Sequence, residues 1–211
     1  MIRILIADDH AIVREGLKQI VQDTSDITVA GEAADGWEVL ELVREQSWDL
    51  VLLDLAMPGR GGIETLKRLK REAPNLPVLI LSIYPEDQYA VRALKDGASG
   101  YLTKESAPDE LVMAIRKAAR GGRYVSPTLG EKLAADLNSR GSTALPHQAL
   151  SDRELEVMLM LASGKTVTQV AKELSLSVKT ISTNRARLLQ KMGMNTNTEL
   201  TYYAVKQRLL D

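Results

Sequence analysis

Six side chains in the first half of this 211-residue chain are of types that do chemistry, and all but Tyr101 stand at or near the end of an apolar run. Asp8 and Asp9 follow Ile2–Ala7, Asp54 follows Leu50–Leu53, Ser82 closes Val78–Leu81, and Tyr101 and Lys104 belong to Gly100–Lys104. Three carboxylates brought together repel. At about 4 Å and an effective dielectric near 20, each pair costs on the order of 4 kcal/mol, which a bound cation offsets. All-oxygen ligation by few protein groups suits Mg²⁺, an ion that keeps several waters and coordinates phosphate. Beside it, Lys104 offers a point charge to a phosphoryl group and the Ser82 hydroxyl a hydrogen bond. Asp54 is therefore either a cap for the next helix or a reactive group at the edge of a sheet.

The surrounding pattern says which elements carry these groups. Continuous apolar runs bounded by acids or turn residues read as strands buried on both faces. Five are expected, over Ile2–Ala7, Ile27–Ala30, Leu50–Leu53, Pro77–Ser82 and Gly100–Lys104. Helices alternate with them, over Ala11–Val21 (Ile12, Val13, Leu17, Ile20 and Val21 on one side), Gly36–Gln46 (Trp37, Leu40, Val43), Gly62–Glu72, Glu86–Asp96 and Pro108–Arg120. Strands alternating with helices through short connections imply an α/β domain with a parallel sheet covered on both faces. In such a sheet ligands gather at the carboxyl ends of the strands, which is where Asp8, Asp9, Asp54, Ser82 and Lys104 fall.

Asp8-Asp9, Asp54 with Met57-Pro58-Gly59, Ser82, Tyr101 and Lys104 resemble the receiver domain of bacterial two-component response regulators, over residues 2 to about 121. The resemblance implies a doubly wound, flavodoxin-like order 2-1-3-4-5. It implies that Asp54 accepts a phosphoryl group from the phosphohistidine of a sensor histidine kinase. It also implies Mg²⁺ held by Asp9, Asp54 and the backbone carbonyl of Ala56, with Asp8 acting partly through water, and a switch in which Ser82 and Tyr101 move together. His10 reads as a helix-start residue. No proline follows Lys104 directly, unlike in many receivers.

The whole chain has formal net charge −1 and no cysteine, which excludes disulfides and thiolate metal sites. The early acids argue against a signal peptide, no run is long enough for a membrane helix, and a cytoplasmic protein is expected. Charge is unevenly spread. Residues 1–121 hold 15 Lys+Arg against 20 Asp+Glu, and residues 149–211 hold 9 against 6. An acidic front and a basic tail suggest two domains with different partners. Between them, residues 122–148 read as a linker with a short helix from Ser126-Pro127 to Leu137. The stretch Ser139-Arg140-Gly141-Ser142-Thr143 reads as a flexible tether, with His147 exposed.

After residue 149 four helix starts are legible. Ser151/Glu154, Thr166/Gln169 and Thr196/Glu199 fit capping boxes, and Ser177 caps a helix from Val178 to Met192. The second and third helices are joined only by Ser175-Leu176-Ser177, the spacing of a helix-turn-helix. On the third helix Val178, Ile181, Leu188 and Met192 share the core side, with Arg185 a misfit among them. Lys/Arg and hydroxyl residues fill the other side, with no acid between Lys179 and Lys191, as a groove-reading surface needs.

Leu150-Ser151-x-Arg153-Glu154-x-Glu156-Val157, Ala171-x-x-Leu174-x-Leu176-Ser177-x-Lys179-Thr180-Ile181 and Lys191-Met192 resemble the DNA-binding domain of the NarL/FixJ (LuxR-type) regulators, over about residues 149–208. That resemblance implies that Ser182, Thr183 and Ala186 reach base edges of a double-stranded operator while Lys179, Thr180, Arg187 and Lys191 hold phosphates. Asn184 stands where the family usually has histidine. The last helix resembles the family's dimerisation helix through Leu200, Tyr203 and Ala204, so a homodimer is expected on activation, with RNA polymerase a further partner. The expected function is phosphorylation-controlled transcription regulation rather than enzymatic turnover. Aspartyl-phosphate phosphohydrolases carry a second acid two residues after the nucleophile, and here that residue is Ala56. A regulator that works without phosphate usually has a degraded acidic pocket, and this one is intact.

Overall fold

A computed structural model describes residues 1–57, 61–138, 145–207 and 209–210. The chain divides into two compact units, Met1–Asn138 and Ser139–Asp211. Among the described residues no helix is long and apolar enough to cross a membrane.

The first unit runs β1 (Ile2–Ala7), α1 (Ala11–Gln22), β2 (Ile27–Ala33), α2 (Gly36–Glu45), β3 (Leu50–Leu53), α3 (Gly62–Glu72), β4 (Val78–Ser82), α4 (Glu86–Lys95), β5 (Gly100–Thr103), α5 (Pro108–Ala119) and α6 (Pro127–Asn138). The five strands form one parallel sheet in the order β2-β1-β3-β4-β5. Every residue of β3 and β4 is buried, as apolar runs without alternation require of a sheet covered on both faces. Register then fixes where the strands end. Ala7 pairs with Leu53 and Ser82 with Thr103, so Asp8, Asp54 and Lys104 emerge at one level. Two backbone hydrogen bonds continue the ladder past the strands, Asp54 N–H to the Ala7 carbonyl and Lys104 N–H to the Ser82 carbonyl, both 2.8 Å.

The expected helix faces overstate burial at two positions. Ile12 is 82 % exposed because, at about 100° per residue, it lies roughly 140° round α1 from buried Leu17 and opposite Val21. Trp37, in the first turn of α2, is also exposed, its ring beside the Arg68 guanidinium. The expected linker helix is α6, and it packs against α4 within the first unit, with Leu129 buried. The expected tether 139–143 lies outside the described residues.

The second unit holds a 3-10 turn (Pro146–Ala149), α7 (Asp152–Ala162), α8 (Val167–Glu173), α9 (Val178–Met192) and α10 (Asn197–Lys206). All three capping boxes close with both hydrogen bonds. Ser177 caps α9 through the Thr180 N–H, and Gly193 ends it in the left-handed conformation that suits glycine. α8 and α9 meet through a tight turn in which Ser175 takes φ 52. Ile181, Leu188 and Met192 are buried as their spacing predicts, but Val178, in the first turn of α9, is 48 % exposed. Arg185 ceases to be a misfit: its Nε donates to Asn197 Oδ1 at 2.7 Å, tying α9 to the start of α10. His147, expected in solvent, is half-buried in the 3-10 turn, its Nδ1 2.7 Å from the Tyr203 hydroxyl.

Candidate functional site

At the carboxyl edge of the first unit's sheet, Asp8 and Asp54 are almost fully buried, 2 % and 1 % exposed. Their charges are met by one cation. Lys104 Nζ lies 2.6 Å from Asp8 Oδ2 and 2.7 Å from Asp54 Oδ2. The other oxygens take backbone donors, Ala56 N–H to Asp54 Oδ1 (3.1 Å) and His10 N–H to Asp8 Oδ1 (2.9 Å). Burial pushes the Asp54 carboxyl above its ordinary range and outweighs Lys104, with Asp8 adding to the rise. Lys104 also rises: burial works to lower it, but two carboxylates together hold its proton on. The two shifts agree once the sharing is recognised, since one ammonium is divided between two acids.

Three carboxylates against one ammonium leave the pocket at a formal −2, the charge a divalent cation cancels. Asp9 Oδ1 is buried and, among the described residues, accepts no hydrogen bond, although His10 Nδ1 is 2.9 Å away. One ligand atom from each of Asp8, Asp9, His10 and Asp54 can be chosen so that all lie within 4.8 Å of one another. These donors fit a hard divalent ion. His10 does stand at the N-cap of α1, but its side chain makes no capping bond and instead faces the acids.

Ser82 and Tyr101 share one neighbour. Ser82 Oγ accepts the Tyr84 N–H (3.2 Å), and the Tyr101 hydroxyl, fully buried, donates to the Tyr84 carbonyl (2.8 Å). Burial, more than any nearby charge, keeps the Tyr101 proton on, so the ring remains a donor.

Two supports of the pocket were invisible in the sequence. Arg14 donates from Nη1 to the Asp8 carbonyl (2.7 Å) and from Nε to Glu32 (2.9 Å), fixing the turn after β1 to the end of β2. Gly62 packs against the backbone beneath Asp54, where an added Cβ would stand 2.3 Å from the Asp54 carbonyl oxygen. Each contact closes on a nearby turn, six residues from Arg14 to Asp8 and eight from Gly62 to Asp54, but it depends on how that turn folds back, which no hydrophobic or capping pattern announces.

In the second unit, Lys179, Thr180, Ser182, Thr183, Ala186, Arg187 and Lys191 are all exposed on α9. Two of the hydroxyls are engaged locally, Thr183 with the Lys179 carbonyl and Thr180 with Ser177. Lys191 is drawn to the protein itself: its Nζ lies 2.6 Å from Glu154 Oε2, the carboxylate of the α7 capping box. Burial works to raise Glu154, yet Lys191 and the Ser151 donors hold its carboxyl below the usual range. On α10, Leu200 and Ala204 are fully buried in the unit's own core and have no surface to offer a second copy. The face left open carries Tyr202, 71 % exposed, and Val205. Tyr202 and Tyr203 line a shallow apolar groove with Met194, Thr198, Lys206 and Gln207.

Comparison with known proteins covers both units. Residues 4–116 match the family model described as response regulator receiver domain, and residues 148–204 the one described as bacterial regulatory proteins, luxR family. The chain is 35 % identical over 209 residues to the response regulator UvrY of Escherichia coli (strain K12), covering 99 % of this chain and 96 % of that one. It is 36 % identical over 211 residues to the response regulator GacA of Pseudomonas aeruginosa, covering 100 % and 99 %. Among solved structures, RcsB of Salmonella enterica serovar Typhimurium, bound to promoter rprA in the presence of phosphomimetic BeF3⁻, superposes with TM-score 0.66 at 28 % identity, covering 96 % of this chain and 98 % of that one.

Proposed function

The chain belongs to the two-component response regulators that join a receiver to a LuxR-type DNA-binding domain, and on that footing we propose that Asp54 is its phosphoacceptor and α9 its DNA-reading helix. The observation that carries the reading is the buried Asp54 carboxylate at the sheet edge, facing Lys104 in a pocket with a formal deficit of two positive charges.

An Asp54 carboxylate oxygen forms a bond to phosphorus as the P–N bond of a sensor kinase's phosphohistidine breaks, and the released imidazole nitrogen takes up a proton. Asp9, Asp54 and the Ala56 carbonyl would hold Mg²⁺, with Asp8 acting partly through water. When bound, the ion supplies positive charge against the phosphoryl oxygens. Lys104, already 2.7 Å from Asp54, exchanges part of its contact with Asp8 for a phosphoryl oxygen, and the Ser82 hydroxyl turns to donate to another. The gain of about −1.5 to −2 charge at this point biases the receiver between two states.

The output is sequence-specific binding to double-stranded DNA. Lys179, Thr180 and Arg187 hold phosphates, and Ser182, Thr183 and Ala186 meet base edges. A single small head reading a few base pairs binds weakly at physiological salt, so activity requires a homodimer. The open α10 face of Tyr202 and Val205 suits that contact better than buried Leu200 and Ala204. We read the protein as a cytoplasmic transcription regulator, able to contact RNA polymerase, and not as an enzyme, since position 56 offers no second acid. Genome-wide binding-site mapping with wild type and Asp54→Ala in parallel tests the link between the two units. Occupancy is expected to fall broadly in the variant, and equal occupancy would favour a regulator that works without phosphate.

A further inference from the structure

The segment after Ser82 is held at both ends. Tyr84 takes the Ser82 and Tyr101 hydrogen bonds described above, and two residues later Glu86 opens α4. Glu86 Oε2 accepts a 2.6 Å hydrogen bond from Ser126 Oγ. Ser126 is the residue that starts α6: its Oγ accepts the Leu129 N–H at 3.1 Å and its carbonyl the Gly130 N–H at 2.9 Å. Leu129 is fully buried, and α6 packs on α4. Tyr124, two residues earlier, is anchored separately by its hydroxyl to Glu110 (2.6 Å) and by backbone pairing to β5. Burial chiefly holds the protons on both Tyr101 and Tyr124, and the Glu86 carboxylate adds to the rise at each.

We infer that Glu86 is the output-positioning residue of the receiver: through Ser126 it clamps the start of α6 to α4, and the clamp opens when Asp54 is phosphorylated. The inference rests on Asp54 being the phosphoacceptor. A Ser82 hydroxyl turned toward a phosphoryl oxygen no longer accepts the Tyr84 N–H, and the 83–86 segment is freed at that end. Three residues separate Ser82 from Glu86, so the displacement is felt at a single hydrogen bond rather than spread along a helix. That bond fixes the Ser126 hydroxyl that caps α6 through the Leu129 N–H, so its loss loosens the cap and frays α6 from the end nearest the switch, while Tyr124 and its own anchors stay in place. α6 is the last described element before the chain passes to the DNA-binding unit, which puts the clamp on the only covalent route between input and output.

Backbone hydrogen exchange of the full chain, with and without acetyl phosphate and Mg²⁺, tests the clamp in wild type, Ser126→Ala, Glu86→Gln and Asp54→Ala. Phosphoryl addition is followed by intact mass in the same samples. In wild type, exchange at Leu129 and Gly130 is expected to rise about tenfold on labelling, the order set by losing a hydrogen bond to a charged group. Ser126→Ala is expected to show the fast rate before labelling and no further rise, with labelling itself intact. Glu86→Gln, which keeps the shape but loses the charge, is expected to lie between the two. Tyr124 should stay protected throughout, which separates clamp opening from general loosening of the unit. Full labelling with unchanged exchange at Leu129 and Gly130 overturns the clamp alone. A wild type that takes up no phosphoryl group overturns the reading beneath it as well.

Discussion

The acid pocket and the α9 surface are built on opposite plans. In the pocket the two central acids are buried and already bonded: Asp54 is held by Lys104 and Ala56, Asp8 by Lys104 and His10, and the turn beneath them by Arg14. On α9 the functional groups stand in solvent and hold little beyond their own helix. A site that makes a covalent bond needs its atoms within tenths of an ångström before the donor arrives. A surface that reads DNA takes its order from phosphates and bases, and needs only a stiff helix to carry it. Substitutions that leave a pocket charge unmatched should therefore cost folding stability, whereas those of α9 groups bonded only within their own helix should cost binding and not stability.

The largest effect is expected from Lys104→Met, which leaves Asp8 and Asp54 facing each other without their shared cation. Breaking a buried pair typically costs about 3 kcal/mol or more, so chemical denaturation of the metal-free protein should show a loss of that order in the first unit's transition. Gly62→Ala comes next. Its methyl would meet the Asp54 carbonyl oxygen at 2.3 Å, and forcing the backbone apart costs about 2 kcal/mol. A loss below about 0.5 kcal/mol would show that this contact does not hold Asp54 in place.

Acid sharpens the contrast, because the two units should respond with opposite sign. Glu154 is held below its ordinary 4.5, so the stability it contributes is present above that value and disappears as pH falls through the lower folded one. Asp54 is raised above its ordinary 3.8, so its contribution is favourable in acid and is lost as pH climbs through the raised value. Glu154→Gln should thus cost about 1–2 kcal/mol at pH 7, as expected for hydrogen bonds to a charged group, and progressively less as pH falls below 4.5 through the depressed folded value. Asp54→Asn should stabilise at pH 7 and lose that advantage in acid. Thermal melts across this range check both.

The smallest effects separate two lysines on one helix. Lys179→Ala should leave stability unchanged and reduce the salt dependence of DNA binding by about one unit of slope, the mark of one phosphate contact. Lys191→Ala should instead cost about 1 kcal/mol of stability through Glu154. Its slope change should be the smaller of the two, and equal slopes would return Lys191 to the phosphate set.

What could be foreseen follows the same division. Strand ends were legible because apolar runs stop where the sheet stops, and that alone gathered Asp8, Asp54, Ser82 and Lys104. Faces were less so. Periodicity says which side chains share a face but not whether another element covers it. That is why Val178 lies open, Leu200 and Ala204 are closed, and α6 is docked on α4. Arg14 and Gly62 depend on how short turns fold back, and the Glu86–Ser126 bond on two distant segments, for neither of which the chain carries a local mark.

The central claim is that Asp54 receives the phosphoryl group. Incubation with a phosphodonor and Mg²⁺, followed by intact mass, should show one added phosphoryl group on wild type and none on Asp54→Ala. Removal of Mg²⁺ should suppress the wild-type signal. Undiminished labelling of Asp54→Ala would contradict the account.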